Sequence, residues 1–294
     1  MRLRRDVPLA PMTTYKVGGP AAWFAEPASV DELVAAIGAV PPSTPILVLG
    51  RGSNVVVADA GYPGLVLRLG GDFSRVELRE DGTIAAGAAV PLPRLARLAA
   101  EAGRAGLGFY VGIPGSVGGA VRMNAGGHGS DTAEVLVDAT VYDLAAGEVV
   151  RLGGVELCFG YRRSALDDRH VVLGARFATE PGEPARLDAE LRAITRWRRA
   201  HQPGGTLNAG SVFKNPAGDH AGRIIDELGL KGYRVGRVAV STLHGNFFVA
   251  EPGATAAEIR RLVEEVRRIV AERTGIELEP ELRFVGDFEE EATG

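Results

Sequence analysis

The sequence contains one cysteine, Cys158, so no internal disulfide can form and a cysteine-rich zinc or iron–sulfur site is excluded. Lysine is nearly missing: Lys16, Lys214 and Lys231 stand against 30 arginines. Such a bias reads mainly as codon usage, although a retained lysine supplies a compact ammonium that arginine does not. Aromatic residues make up only 6% of the chain. No window approaches ~18 uncharged apolar residues, so no membrane-spanning helix is expected. Arg2, Arg4 and Arg5 are not followed by an apolar stretch, so no secretory signal is expected either. The five histidines, His128, His170, His201, His220 and His244, lack metal-ligand spacing, and no metal is expected. The net charge of -4 argues against nucleic acid and anionic membranes as partners. The expectation is a cytoplasmic monomer acting on small molecules.

Glycine, by contrast, is abundant: 40 of 294 residues, about twice the usual share of ~7%. There is no Gly-x-y period, and 46% hydrophobic content excludes disorder. Ten of the glycines fall within residues 103–129. The alternation of strand and helix patterns predicts an α+β protein in three parts, residues 1–72, 73–203 and 204–294. Ser29-x-x-Glu32 and Thr255-x-x-Glu258 are capping boxes opening helices, the second ending at the C-cap glycine Gly275. Short strands are expected at Gly210–Phe213 and Ile276–Val285, and helices at about Leu92–Ala102 and Ala185–Ala200.

Two glycine loops carry the functional signal. Leu49-Gly50-Arg51-Gly52-Ser53-Asn54-Val55 follows a strand pattern, but Val55 replaces the third glycine of a dinucleotide fingerprint and β-branched residues follow. Such a turn presents backbone N–H groups as an anion nest, or is simply a tight turn. Gly112-Ile113-Pro114-Gly115-Ser116-Val117-Gly118-Gly119 is more specific, and a helix starting at Gly118 would offer free N–H groups to a phosphate. No Gly-x-x-x-x-Gly-Lys-[Ser/Thr] stretch exists, which rules out a P-loop. Two phosphate-suited loops imply one extended diphosphate ligand.

These loops, with Arg122-Met123-Asn124-Ala125-Gly126, resemble the flavin-binding signatures of the UDP-N-acetylenolpyruvoylglucosamine reductase family. The resemblance runs from Thr13-Thr14-Tyr15-Lys16-Val17-Gly18-Gly19 to Glu279-Pro280-Glu281-Leu282-Arg283-Phe284. It implies a two-part FAD-binding fold of the vanillyl-alcohol-oxidase type plus a C-terminal α+β substrate-binding domain. It also implies FAD as cofactor and NADPH as hydride donor, with Leu49–Val55, Gly112–Gly119 and Arg122–Gly126 holding the flavin.

The resemblance further implies a catalytic set. Arg162, in Tyr161-Arg162-Arg163-Ser164, matches the family's catalytic arginine, and a guanidinium forks onto a carboxylate or enolate. Ser211, in Ala209-Gly210-Ser211-Val212-Phe213-Lys214-Asn215-Pro216, matches the proton donor. Glu281 matches the catalytic glutamate in preference to Glu279. Tyr161, His128, Lys214, Asn215 and Arg283 are the substrate-side residues. His128 stands where relatives commonly have tyrosine, and Leu243 where they often have lysine. Read without the resemblance, Arg162 is a surface arginine, Asn215-Pro216 a turn, and residues 279–283 an exposed strand face. The short connection from Arg199 to Gly210 resembles a compact subtype lacking a substrate-covering tyrosine loop. A sugar or alcohol oxidase on the same scaffold and a non-catalytic nucleotide-binding module are the alternatives.

Overall fold

A computed structural model describes residues 2–288. The chain forms two compact units, each assembled from separated stretches: 2–3, 25–51 and 67–198 in the first, and 4–24, 52–66 and 199–288 in the second. The sequence-based division into 1–72, 73–203 and 204–294 therefore differs from the observed one. The cause is long-range pairing. Val55–Val57 pairs in parallel with Arg283–Val285, which ties the first glycine-loop region to the C-terminal strand.

The first unit is built on a five-stranded antiparallel sheet in the order Glu148–Gly153, Leu136–Asp143, His170–Phe177, Ile84–Gly87, Val76–Leu78. Alternate residues Ala139, Val141, Ala175 and Phe177 are buried in the apolar core, as strand periodicity requires. The helix Leu92–Glu101 buries Leu92, Leu95, Ala96, Ala99 and Ala100, the i, i+3, i+4 spacing of one helical face. The helix after the second glycine loop spans Val117–Met123 and so begins one residue before Gly118. The helix expected at Ala185–Ala200 spans Pro184–His201. Ser29 Oγ accepts from Glu32 N at 3.3 Å, while the Glu32 carboxylate reaches back to Ala28 N at 2.8 Å, one residue beyond a true capping box.

The second unit contains Arg4–Pro8 paired antiparallel with residues 20–24, and the antiparallel sheet Arg234–Val235, Val238–Val240, Phe248–Ala250. The helix Ala256–Thr274 buries Ile259, Leu262, Val263, Val266, Ile269 and Val270. Its start is doubly secured: the Thr255–Glu258 capping box is complete, and Asp59 accepts from Ala256 N at 2.9 Å and Ala257 N at 3.0 Å. Gly275 ends it at φ 72°, a left-handed position. Fully buried Tyr15 donates to Phe248 O at 3.1 Å, and desolvation raises its pKa. The strands expected at Gly210–Phe213 and Ile276–Val285 are shorter than that: isolated bridges at Ser211, Phe213 and Pro280, and the strand Arg283–Val285.

Candidate active site

In the first unit the glycine loops meet. A Cβ at Gly50 would lie 2.6 Å from Ser116 Oγ, and a Cβ at Gly119 would find only Ser116 Oγ, at 3.8 Å. Leu49, Gly50 and Arg51 thus lie beside Ser116, with Gly119 exposed next to it. This cradle of small residues fits the diphosphate of FAD. The amides expected to be free at the helix start are not: Val117 N donates to Val90 O at 3.0 Å and Gly118 N to Ala88 O at 2.9 Å. Ser116 is 4% exposed and its hydroxyl caps nothing, while Gly119 beside it is exposed.

Gly112 has a different reason to be glycine. A Cβ there would lie 2.9 Å from His128 Nε2 and 3.2 Å from Arg198 Cδ. Arg198 donates to the Gly112 carbonyl, and the His128 ring stands edge-on to Trp197 at 5.4 Å. Desolvation and the Arg198 charge lower the His128 pKa. His128, expected on the substrate side, is part of this packing, and Arg198 is a loop-holding residue that the sequence reading did not single out.

Arg162 sits at the tip of a tight turn. Gly160 N donates to Arg163 O at 3.0 Å, and Arg163 N to Gly160 O at 3.2 Å. Arg162 has φ 55°, an unfavourable left-handed conformation for a long side chain. Three contacts hold it there. Arg162 Nη2 donates to Gly126 O at 2.8 Å. Asn124 Nδ2 donates to Gly160 O at 3.1 Å. Ser164 Oγ donates to Arg122 O at 2.7 Å. Exposed Tyr161 places its ring 5.2 Å from the Arg162 guanidinium.

Two expected flavin contacts have other work. Asn124, 3% exposed and itself left-handed, also donates to Asp131 Oδ2 at 3.1 Å and accepts from Ala133 N at 2.9 Å. Its two amide hydrogens are both used. The Arg122 guanidinium pairs with Asp168 at 2.9 Å and with the Asp167 carbonyl. Ile113, Pro114, Gly115, Met123 and Ala125 belong to the same loop and helix, Ala125 being pinned through its carbonyl by Thr132 Oγ1 at 2.9 Å.

In the second unit, Ser211 and Glu281 lie on neighbouring segments. Glu281 N donates to Val212 O at 2.7 Å, Lys214 N to Glu279 O at 2.9 Å, and Val212 N to Asn246 O at 2.9 Å. Along the C-terminal segment Leu278, Leu282 and Val285 are buried, Glu279 is exposed, and Pro280, Glu281 and Arg283 are half-buried. Gly52, Ser53, Asn54 and Val55 belong to this unit. Gly52 is required by its φ of 61° and by the Met12 carbonyl, 2.3 Å from where a Cβ would stand. Asn54 accepts from Arg283 N at 3.0 Å through its carbonyl, and its side-chain Nδ2 donates to Glu281 O at 2.9 Å.

The remaining expected contacts are also placed. Lys214 Nζ pairs with Glu279 Oε1 at 2.5 Å. Asn215 Oδ1 accepts from Ala221 N at 3.1 Å, at the start of the helix Ala221–Glu227. His244 Nδ1 accepts from Asn246 N at 3.1 Å, so its proton is on Nε2.

The comparisons agree with one another. A family model described as "UDP-N-acetylenolpyruvoylglucosamine reductase, C-terminal domain" matches residues 202–285, and an FAD binding domain model matches residues 21–153. The chain is 47% identical to a UDP-N-acetylenolpyruvoylglucosamine reductase from Rubrobacter xylanophilus, covering 96% of this chain and 95% of that one. It is 46% identical to a protein of that name from Methylorubrum extorquens, covering 97% and 92%. The crystal structure of the corresponding Thermus caldophilus reductase superposes with a TM-score of 0.83 at 38% identity, over 97% of this chain and 100% of that one.

Proposed function

The chain belongs to the UDP-N-acetylenolpyruvoylglucosamine reductase family, FAD-dependent oxidoreductases of peptidoglycan precursor synthesis, and from that premise we propose how its residues divide the work. The full-length similarity at 46% identity carries the reading. A bound FAD would supply hydride transfer between NADPH and the enolpyruvyl methylene carbon of UDP-N-acetylglucosamine enolpyruvate.

The protein's contribution is placement and charge. Leu49–Arg51 and Ser116–Gly119 hold the flavin diphosphate, where small residues let the backbone come close. Arg162 forks onto the substrate carboxyl group and stabilises the negative charge that builds on it. Glu281 acts with Arg162 in stabilising the enol form. Ser211 gives its hydroxyl proton to the adjacent carbon, which completes saturation of the double bond and yields UDP-N-acetylmuramate. A serine is a poor acid in water, so positive groups and solvent exclusion must stabilise the alkoxide it leaves. Lys214, Asn215, Arg283, Tyr161 and His128 bind the remainder of the substrate.

The protein works as a cytoplasmic monomer whose partners are small molecules. Among the described residues no helix is long and apolar enough to cross a membrane.

An anaerobic flavin titration tests this reading. Purified protein is expected to be yellow, to be bleached by NADPH, and to be re-oxidised by the enolpyruvyl UDP-sugar. Protein without a flavin spectrum overturns the enzyme assignment, and re-oxidation by oxygen alone favours an oxidase.

A further inference from the structure

The three residues assigned to chemistry share a structural feature. Each has an asparagine side chain bonded to main chain within two residues of it. Asn54 Nδ2 donates to the carbonyl of Glu281 itself at 2.9 Å. Asn246 accepts from Phe213 N at 2.9 Å and donates to Phe213 O at 2.8 Å, two residues after Ser211. Asn124 donates to Gly160 O at 3.1 Å, two residues before Arg162. Asn124 and Asn246 are both 3% exposed. Their amides are spent inside the protein, Asn246 on the Phe213 main chain and Asn124 on Gly160 O, Ala133 N and the Asp131 carboxylate, rather than offered to a ligand.

An asparagine amide copies a peptide group, with one carbonyl and one N–H₂ on a short stem. It therefore extends a hydrogen-bonded ladder where regular pairing has run out. That is the situation at all three places. Ser211, Phe213 and Pro280 make only isolated bridges, and Gly160–Arg163 is a single-bridge turn. Without the amides, the backbone under each functional side chain would lose a cross-link. In the second unit the two clamps work on adjacent segments, since Glu281 N is bonded to Val212 O and Val212 N to Asn246 O.

We propose that Asn54, Asn246 and Asn124 are the positioning residues of Glu281, Ser211 and Arg162, each acting through main chain without touching substrate or flavin with its side chain. The proposal rests on the catalytic assignment above. It reassigns two side chains, Asn54 and Asn124, from flavin binding to placement of the groups that act on the substrate. A displacement on the order of 1 Å at such a group costs up to about 10²-fold in rate.

The test separates the two half-reactions and uses double-mutant cycles on the holoenzyme. Asn54→Ala is expected to keep the flavin stoichiometry and its reduction by NADPH within about twofold, and to slow re-oxidation by the enolpyruvyl sugar by about 10- to 100-fold. Asn54→Ala combined with Glu281→Gln is expected to be no slower than Glu281→Gln alone. Asn246→Asp with Ser211→Ala supplies a second, independent cycle with the same expected non-additivity. Loss of flavin from Asn54→Ala, or fully additive effects in both cycles, overturns the proposal. If wild-type flavin is not re-oxidised by the sugar at all, the functional reading fails and the proposal fails with it.

Discussion

Lys214 and Glu279 form an ion pair of 2.5 Å, and their backbones are bonded as well, Lys214 N to Glu279 O at 2.9 Å. In this structure Glu279 is exposed and partners a lysine, and Glu281, two residues on, is half-buried. The two glutamates should separate kinetically. Glu279→Gln leaves the Lys214 charge uncompensated and available to an anionic substrate. At low salt KM for the UDP-sugar is expected to fall by about two- to fivefold with kcat nearly unchanged, the scale of an exposed pair. Glu281→Gln is expected to lower kcat instead. Steady-state kinetics of both variants decides it; a kcat collapse in Glu279→Gln would reverse the assignment.

Ser211→Ala removes the proposed proton but not the backbone bridge to Phe247. NADPH should still bleach the flavin at the wild-type rate, and re-oxidation by the sugar should slow by about 10²- to 10⁴-fold. Stopped-flow absorbance of the two half-reactions is the measurement. Survival of both halves rules out Ser211 as donor.

Arg162→Lys keeps the charge and loses the fork. Lysine cannot both donate to Gly126 O and meet a carboxylate with two parallel bonds. The second half-reaction should fall by at least about 10²-fold while the flavin spectrum and NADPH reduction hold. A near-normal Lys variant would show that only charge is needed.

Two glycines should respond differently to alanine. At Gly50 the obstacle is Ser116 Oγ at 2.6 Å, with Ser116 Cβ at an ordinary 3.7 Å, so rotation of one hydroxyl relieves the clash. Thermal stability should barely change, but FAD affinity should drop because that hydroxyl leaves its place. At Gly87 the obstacle is backbone, Phe73 O at 2.1 Å and Phe73 C at 2.3 Å. There the cost is about 1–3 kcal/mol or more, read as a lowered melting temperature. Comparing flavin titration and melting curves for the two variants checks both halves.

His244 predicts a pH dependence. Its pKa is lowered by desolvation first and by Lys231 next, from an ordinary value of 6.5. A histidine with a depressed folded pKa contributes stability that is present above its unfolded value and lost as pH falls. Protonation also removes Nδ1 as the acceptor for Asn246 N. The melting temperature should therefore decline as pH drops below about 6.5, and His244→Gln should flatten that part of the curve. An unchanged slope in the variant rules His244 out as its source.

Local chemistry was legible in the sequence. The Thr255–Glu258 capping box, the Gly275 stop and the helix near residues 92–101 need only neighbours within a few positions. The motif residues were legible as motifs, through resemblance. Their individual work was not. Asn54 and Asn124 look alike as polar donors in glycine-rich stretches, yet one bonds Glu281 O and the other Gly160 O. Gly112 looks like a ligand-approach glycine, and its neighbours are His128 and Arg198.

What the sequence determined by itself was the menu: α+β elements, a glycine concentration in residues 103–129, and a set of polar residues suited to a diphosphate and a carboxylate. Tertiary structure alone decided the assembly. It paired Val55–Val57 with Arg283–Val285 and so drew residues 52–66 into the C-terminal unit. It turned Arg162 into a left-handed tip braced by Gly126. The reason is physical: a buried donor or acceptor must find a partner, and the partner that satisfies it is chosen by proximity in space, which spacing along the chain does not encode.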